Sequence, residues 1–177
     1  MDLQTIRHFI EYHKWANRKV WECVDSVSQE QYTQAHDYSI GSLHKQVHHV
    51  LSNDWAAFYA IAHGQQWPNK ESEGYFSLED VASKAAAWAR WDQIEAYIDE
   101  VVAQLTEEQL TEQWTMPAGP DVYFQASLGE LLYIMVNHAM NHRAQILALV
   151  HQYGGTTTEM GLYFYLAETR VAIPAAD

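Results

Sequence analysis

The sequence predicts an all-α protein: a four-helix bundle with a short extra helix near the C-terminus. Three observations carry that prediction. Apolar residues recur three and four apart over most of the chain. No stretch alternates apolar and polar residues in the way a half-buried strand would. Several segments open with Ser or Thr followed three residues later by Gln, Asp or Glu, which is the spacing of a helix-capping box. Four long amphipathic segments bury their apolar stripes most simply against one another. The 177 residues, 48% of them apolar, suffice for one sizeable core. The expected unit is a single domain over 1–170, with a flexible tail over 171–177.

The first helix is expected from about Leu3 to Val27, with Ile6, Phe9, Ile10, His13, Ala16, Val20 and Val24 on one stripe. Ser28 and Gln31 then cap a short helical turn. The second long helix begins near Ser39 or Ser42, carries Leu43, Val47, Val50, Asp54, Phe58 and Ile61 at helical spacing, and stops at Gly64. Trp67-Pro68-Asn69 opens a loop long enough to cross the bundle end or cover a site. The third helix is expected from Ser77 as N-cap, with Asp80 three residues on, through Val81, Trp88, Trp91, Ile94, Ile98, Val101 and Leu105. Thr106 and Gln109 cap another short turn, and 115–125, rich in Pro and Gly, reads as a loop or a short extended piece. Ser127 and Glu130 open the fourth helix, whose face carries Leu128, Leu131, Leu132, Met135, Ala139, Ile146 and Leu149 up to Gly154-Gly155. Thr156 and Glu159 are expected to cap the last short helix, which runs to about Glu168.

The formal net charge is -13, with no basic stripe. Nucleic acid and anionic membrane surfaces are therefore excluded as partners, because both are bound by cations that displace counterions. The most apolar segment, around 128–150, is broken by Glu130, Asn137, His138, Asn141, His142 and Arg143, so no membrane span is expected. The opening residues MDLQTIRHFIEYHK lack the basic and apolar regions of a signal peptide. The single cysteine, Cys23, rules out an internal disulfide, and the expected address is cytoplasmic. Cys23 falls on the core side, without a neighbouring cation to activate it.

The strongest chemical signal is His138-Ala-Met-Asn-His142. Histidines at i and i+4 lie one turn apart on one helix face and can reach a single metal ion. Both fall within the apolar stripe of the fourth helix, where an unpaired imidazole is costly. The alternative is two core histidines bonded to carbonyls or tyrosines. The second helix supplies further candidates in His44, His48, His49 and His63, and helical periodicity alone does not choose among them.

Three short segments resemble one known family. Tyr12-His13-Lys14-Trp15-Ala16-Asn17-Arg18 is similar to the Y-N-x-W-A-N opening of DinB-like proteins. Ser39-Ile-Gly-Ser-Leu-His44 followed by Val47-His48-His49-Val50-Leu51 is similar to that family's S-F-G-S-I-H…L-N-H-I-L segment. Asn137-His138-Ala-Met-Asn141-His142-Arg143-Ala144-Gln145 is similar to its N-H-x-x-H-H-R-G-Q segment. The motifs come in the family's order and span nearly the whole chain. Asn141 stands where a second adjacent His is common and Ala144 where Gly is common; neither change touches a presumed ligand. The resemblance implies a bundle of the DinB/YfiT type with one divalent metal held by His49, His138 and His142.

Three imidazoles suit Zn²⁺ or Ni²⁺ first, and Fe²⁺, Mn²⁺ or Co²⁺ as well. The resemblance further implies a metal-dependent transferase in which a low-molecular-weight thiol, its proton loosened by the metal, attacks a small electrophile. A non-catalytic metal-binding or stress-response bundle and a metal-dependent hydrolase are the alternatives. No catalytic base is named. Asp54, a turn beyond His49, reads either as a carboxylate orienting an imidazole or as a solvated bundle-end group. Arg143 reads as a substrate anchor or a surface ion-pair partner; Tyr12, Trp15 and Trp55 as pocket wall or core. A homodimer is expected through aromatic faces of the first and third helices, at Trp21 and at Trp88 or Trp91.

Overall fold

The computed structural model describes residues 1–170; the expected tail, 171–177, lies outside the described residues. Four long helices form the body: α1 (Leu3–Asp25), α3 (Leu43–Ala62), α4 (Lys84–Gln104) and α5 (Leu128–Gln152). Between and after them lie α2 (Gln29–Thr33), a hairpin of β1 (Gln113–Gly119) and β2 (Val122–Ser127), and α6 (Leu162–Thr169). α1 packs on α4 and α5, and α3 packs on the same two, so α1 and α3 face each other across the bundle. Their inner stripes, with those of α4 and α5, form one core around Ile6, Ile10, Leu51, Phe58, Trp91, Ile98, Ile146 and Leu149.

The helix starts follow their capping chemistry. Ser127 accepts from the Glu130 backbone while the Glu130 carboxylate takes the Ser127 N–H, a complete capping box. Ser28 and Gln31 form the same device at α2. Ser42, not Ser39, caps α3 by accepting from Lys45 N.

Several expectations need correction. Ser77 does bond Asp80, with its N–H 2.7 Å from Oδ2, but this closes only the 3-10 turn Glu79–Val81. The long helix starts six residues later, where Ser83 accepts from Ala86 N. The last helix is preceded by Gly161 with no side-chain cap, so Thr156 and Glu159 do not cap it. It is held instead by packing of Tyr165 beside Tyr12 and Trp15, with ring centroids 5.8 and 5.6 Å away. Of the two readings of 115–125, the extended one holds: the segment lies in a hairpin, antiparallel from Gln113↔Ser127 to Gly119↔Val122, with a register shift between Pro117 and Gly119. β2 lacks a period-2 signature because it is almost wholly exposed: Val122, Tyr123 and Phe124 are all exposed and only Ala126 is buried, while β1 alternates only over Gln113–Met116, with Trp114 buried and Met116 half-buried.

The aromatic faces expected to meet a second copy are inside. Trp21 and Trp91 are buried, and half-buried Trp88 donates its indole N–H to Asp25 Oδ2 at 2.6 Å. Exposed large apolar side chains lie on α5 (Tyr133, Ile134, Met140), α6 (Tyr163, Phe164) and β2 instead. Among the described residues no helix is long and apolar enough to cross a membrane. Cys23 is buried as expected, and burial, helped by the Glu22 carboxylate, pushes its thiol pKa up.

Candidate metal centre

α3 and α5 run side by side and bring His49, His138 and His142 together. His138 and His142 sit one turn apart on α5, and their Nε2 atoms are 3.1 Å apart. His49 reaches across from α3 to place its Nε2 3.3 Å from His138 Nε2. One nitrogen from each of the three residues lies within 4.8 Å of the others. Among the described residues no fourth His, Cys, Asp or Glu joins the group. His142 is buried; His49 and His138 are half-buried, so the cluster is open on one side.

The spacing fits a metal ion. Four-coordinate Zn–N bonds of about 2.0–2.1 Å put neighbouring ligand nitrogens about 3.3–3.4 Å apart. The two closest nitrogen pairs match that edge to within a few tenths of an ångström. Electrostatics agree with the geometry. Burial, then the neighbouring His49 and His138 rings, push the pKa of His142 down to about 4. Burial and the His138 ring lower that of His49 as well. A neutral imidazole is the form that offers a lone pair to a cation.

The orientation of His142 is set by residues the sequence did not single out. Buried Gln46, one turn before His49, presents Oε1 2.8 Å from His142 Nδ1. The other end of that amide donates to Gln145 Oε1 at 2.9 Å, and Ser39 Oγ donates to the same oxygen at 2.5 Å. The Gln46 oxygen therefore faces the ring, His142 carries its proton on Nδ1, and the Nε2 lone pair points into the cluster. Partners of this kind are worth about 10–100-fold in metal affinity. Gln46→Leu is accordingly expected to weaken Zn²⁺ binding by about that factor, measured by competition with a chromophoric chelator. Asn53 closes the other side, its Nδ2 2.6 Å from His49 O and 3.3 Å from both His49 ring nitrogens.

The remaining histidines of α3 lie elsewhere. His44 bonds Leu78 O at 2.8 Å, His48 packs edge-on against Phe76, and His63 stacks on Tyr59 with centroids 3.8 Å apart. Asp54 is not a solvated bundle-end group: it is 1% exposed. It does orient an imidazole, but that of His13, 2.9 Å away, not a ring of the cluster. Arg143 is not a surface residue either; it is fully buried, its Nη1 2.9 Å from Asn17 Oδ1 and 3.2 Å from His13 Nδ1. Asp54, His13, Asn17 and Arg143 thus form a polar chain through the core beneath the cluster.

Two clefts reach His138. One, of about 230 Å³, lies between α3, α5 and β1 and includes Asn53, Trp67, Trp114, Met116 and Met135 in its wall. The other is a shallow groove on the outer side of α5, beside Asn137, Asn141 and Ala144. Tyr12, Trp15 and Trp55 line neither.

A bundle with this cluster at the α3–α5 seam matches a known family over nearly its whole length. The model of the DinB family aligns with residues 1–173. The chain belongs to the DinB family. Protein DinB of Bacillus subtilis (strain 168) is 25% identical over 178 residues, covering 92% of this chain and 95% of that one. Solved structures share the fold. YfiT from Bacillus subtilis, described as a probable metal-dependent hydrolase with an unusual four-helix bundle topology, superposes with a TM-score of 0.69 at 14% identity, over 88% of this chain and 91% of its own. A DinB-like protein from Bacillus cereus ATCC 10987 gives a TM-score of 0.64 at 16% identity, over 85% and 94%. All three sequence segments that resemble the DinB family contribute to the site or to the polar chain beneath it.

Proposed function

We propose that this DinB-family protein is a metal-dependent transferase that joins a low-molecular-weight thiol to a small electrophile. His49, His138 and His142 would hold the ion, with Zn²⁺ or Ni²⁺ expected although three imidazoles also suit Fe²⁺, Mn²⁺ or Co²⁺. The observation that carries the reading is the trio of converging imidazoles with one side open. Bound there, a divalent ion supplies Lewis acidity that lowers the pKa of a thiol or water beside it.

The residues around the cluster favour a thiol over water. Attack by water gains from a carboxylate or other base within hydrogen-bond reach. Among the described residues no Asp or Glu lines either cleft that reaches His138, and Asp54 is engaged with His13. A thiol sheds its proton more readily and needs no such partner. In the overall step the sulfur forms a bond to the electrophilic carbon, the leaving group departs with the bonding pair, and the thiol proton passes to solvent. The protein's part is to hold His142 in one tautomer through Gln46 and to present the electrophile from the cleft. The description of YfiT as a probable metal-dependent hydrolase supports hydrolysis as the second reading.

The test is a panel of small thiols paired with alkyl and aryl halides, followed by thioether formation with and without loaded Zn²⁺. Metal- and thiol-dependent product, lost in His142→Ala, is the expected result. Metal-dependent ester or amide cleavage without any thiol would overturn the transferase reading in favour of the hydrolase.

The lowered pKa values also predict how the metal-free protein responds to acid. Unfolded, His142 titrates near 6.5; folded, it stays neutral down to about 4. Between those values the unfolded chain binds the extra proton, so folding stability falls as pH drops through that window. The melting temperature of the metal-free protein is expected to decline there. The decline should be shallower in His142→Gln, as read by circular dichroism.

A further inference from the structure

The cleft beside His138 says what kind of molecule is presented to the cluster. Apart from Asn53 and His138 at one end, its wall is apolar: Ala57 and Ile61 from α3, Leu131 and Met135 from α5, Trp114 and Met116 from β1, with Trp67 of the loop after α3 edge-on to Trp114. Among the described residues no Lys, Arg, Asp or Glu lines it. An ionic group placed there would lose its hydration without gaining a counter-charge. An apolar group gains the transfer free energy of leaving water.

The size is selective too. A cavity of about 150 Å³ holds one benzene ring. The cleft, at about 230 Å³, holds a single ring or a medium-length alkyl chain with some carbons to spare. The two ends differ chemically, and His138 belongs both to the cleft wall and to the three-histidine cluster.

Resting on the metal-centre reading above, we propose that the substrate is a small, uncharged molecule with a polar reactive head at the three-histidine cluster. Its apolar alkyl or aryl arm fills the cleft between α3, α5 and β1. Carboxylated or phosphorylated small molecules are disfavoured as occupants of this cleft. A charged, polar thiol has its approach along the shallow groove past Asn137 and Asn141, on the other side of His138. The hairpin is then a specificity element: Trp114 and Met116 form the wall that the four helices alone leave open.

The experiment uses the intact protein loaded with Co²⁺, whose absorption spectrum reports the metal and whose thiolate charge-transfer band reports a thiol reaching it. n-Alkanethiols from ethanethiol to octanethiol serve as probes, the sulfur as head and the chain as arm. Affinity is expected to rise about four-fold per added methylene, the ratio that corresponds to about 0.8 kcal/mol for each buried CH₂, until the cleft is full. Ala57→Phe, which fills the cleft, should end that rise at a shorter chain. Met116→Asp, which puts a charge in its wall, should flatten it. Ethanethiol should bind both variants as it binds the parent. A charge-transfer band whose midpoint is independent of chain length, or a rise unchanged in both variants, overturns the cleft assignment and leaves the metal centre standing. A protein that takes up no Co²⁺ overturns both.

Discussion

Asp54→Ala is expected to destabilise the protein by about 3–5 kcal/mol, the cost of breaking a buried, hydrogen-bonded charge system by removing one member. Asp54 is 1% exposed and its Oδ2 meets His13 Nε2 at 2.9 Å and Asn17 Nδ2 at 3.3 Å. His13 and Asn17 in turn contact Arg143, whose guanidinium is fully buried and has Nε and Nη2 without hydrogen-bond partners. Burial already pushes the Arg143 pKa down, while Tyr12 and Asp54 oppose that shift. Without Asp54, the cation keeps its desolvation cost and loses its nearest compensating charge. At about 2–4 °C per kcal/mol for a chain of this size, the melting temperature should fall by about 6–20 °C. The double replacement Asp54→Leu/Arg143→Met removes both charges and should cost less than the sum of the single changes. Asp99→Ala is the contrast. Asp99 pairs with Lys14 at 2.5 Å, but its side chain is 55% exposed, so a change within about 1 kcal/mol is expected. Denaturant melts of the parent, these three variants and the single variants Asp54→Leu and Arg143→Met check all three statements.

Metal binding is expected to produce a comparable shift in the other direction. An ion that binds only the folded chain, at a free concentration a thousand times its Kd, stabilises by about 4 kcal/mol. That corresponds to about 8–16 °C in melting temperature for a chain of this length. The shift should reverse on adding a chelator and be absent from the His49→Ala/His138→Ala/His142→Ala variant.

The bundle was legible because each long helix carries a wide apolar stripe, and most starts have a side chain that caps them. The hairpin was not, because β2 is almost wholly exposed and β1 alternates over only Gln113–Met116, too short a run to read as a strand. The start of α4 differs because Ser77 and Asp80 make only half of a capping box, the Ser77 N–H and hydroxyl on the Asp80 carboxylate, over one 3-10 turn, and Ser83 begins the helix. At the site, the i, i+4 pair His138 and His142 stood out on spacing alone. His49 did not, since it lies off the centre of its helix's stripe and is only half-buried; the family resemblance pointed to it. Gln46, one turn before His49, is identifiable as the residue facing His142 across the α3–α5 seam only once the helix pairing is known. His13 and Asp54 were placed on inward stripes, and the reason two polar groups belong there is that they bond each other across the bundle.

The central claim is that His49, His138 and His142 hold one divalent ion. Elemental analysis of the purified, tag-free protein, after dialysis against Zn²⁺ or Ni²⁺ and removal of free ion, tests it most directly beside the triple alanine variant. About one ion per chain in the parent and essentially none in the variant is the predicted result. An ion-free parent, or a variant that keeps the same metal content, would contradict it.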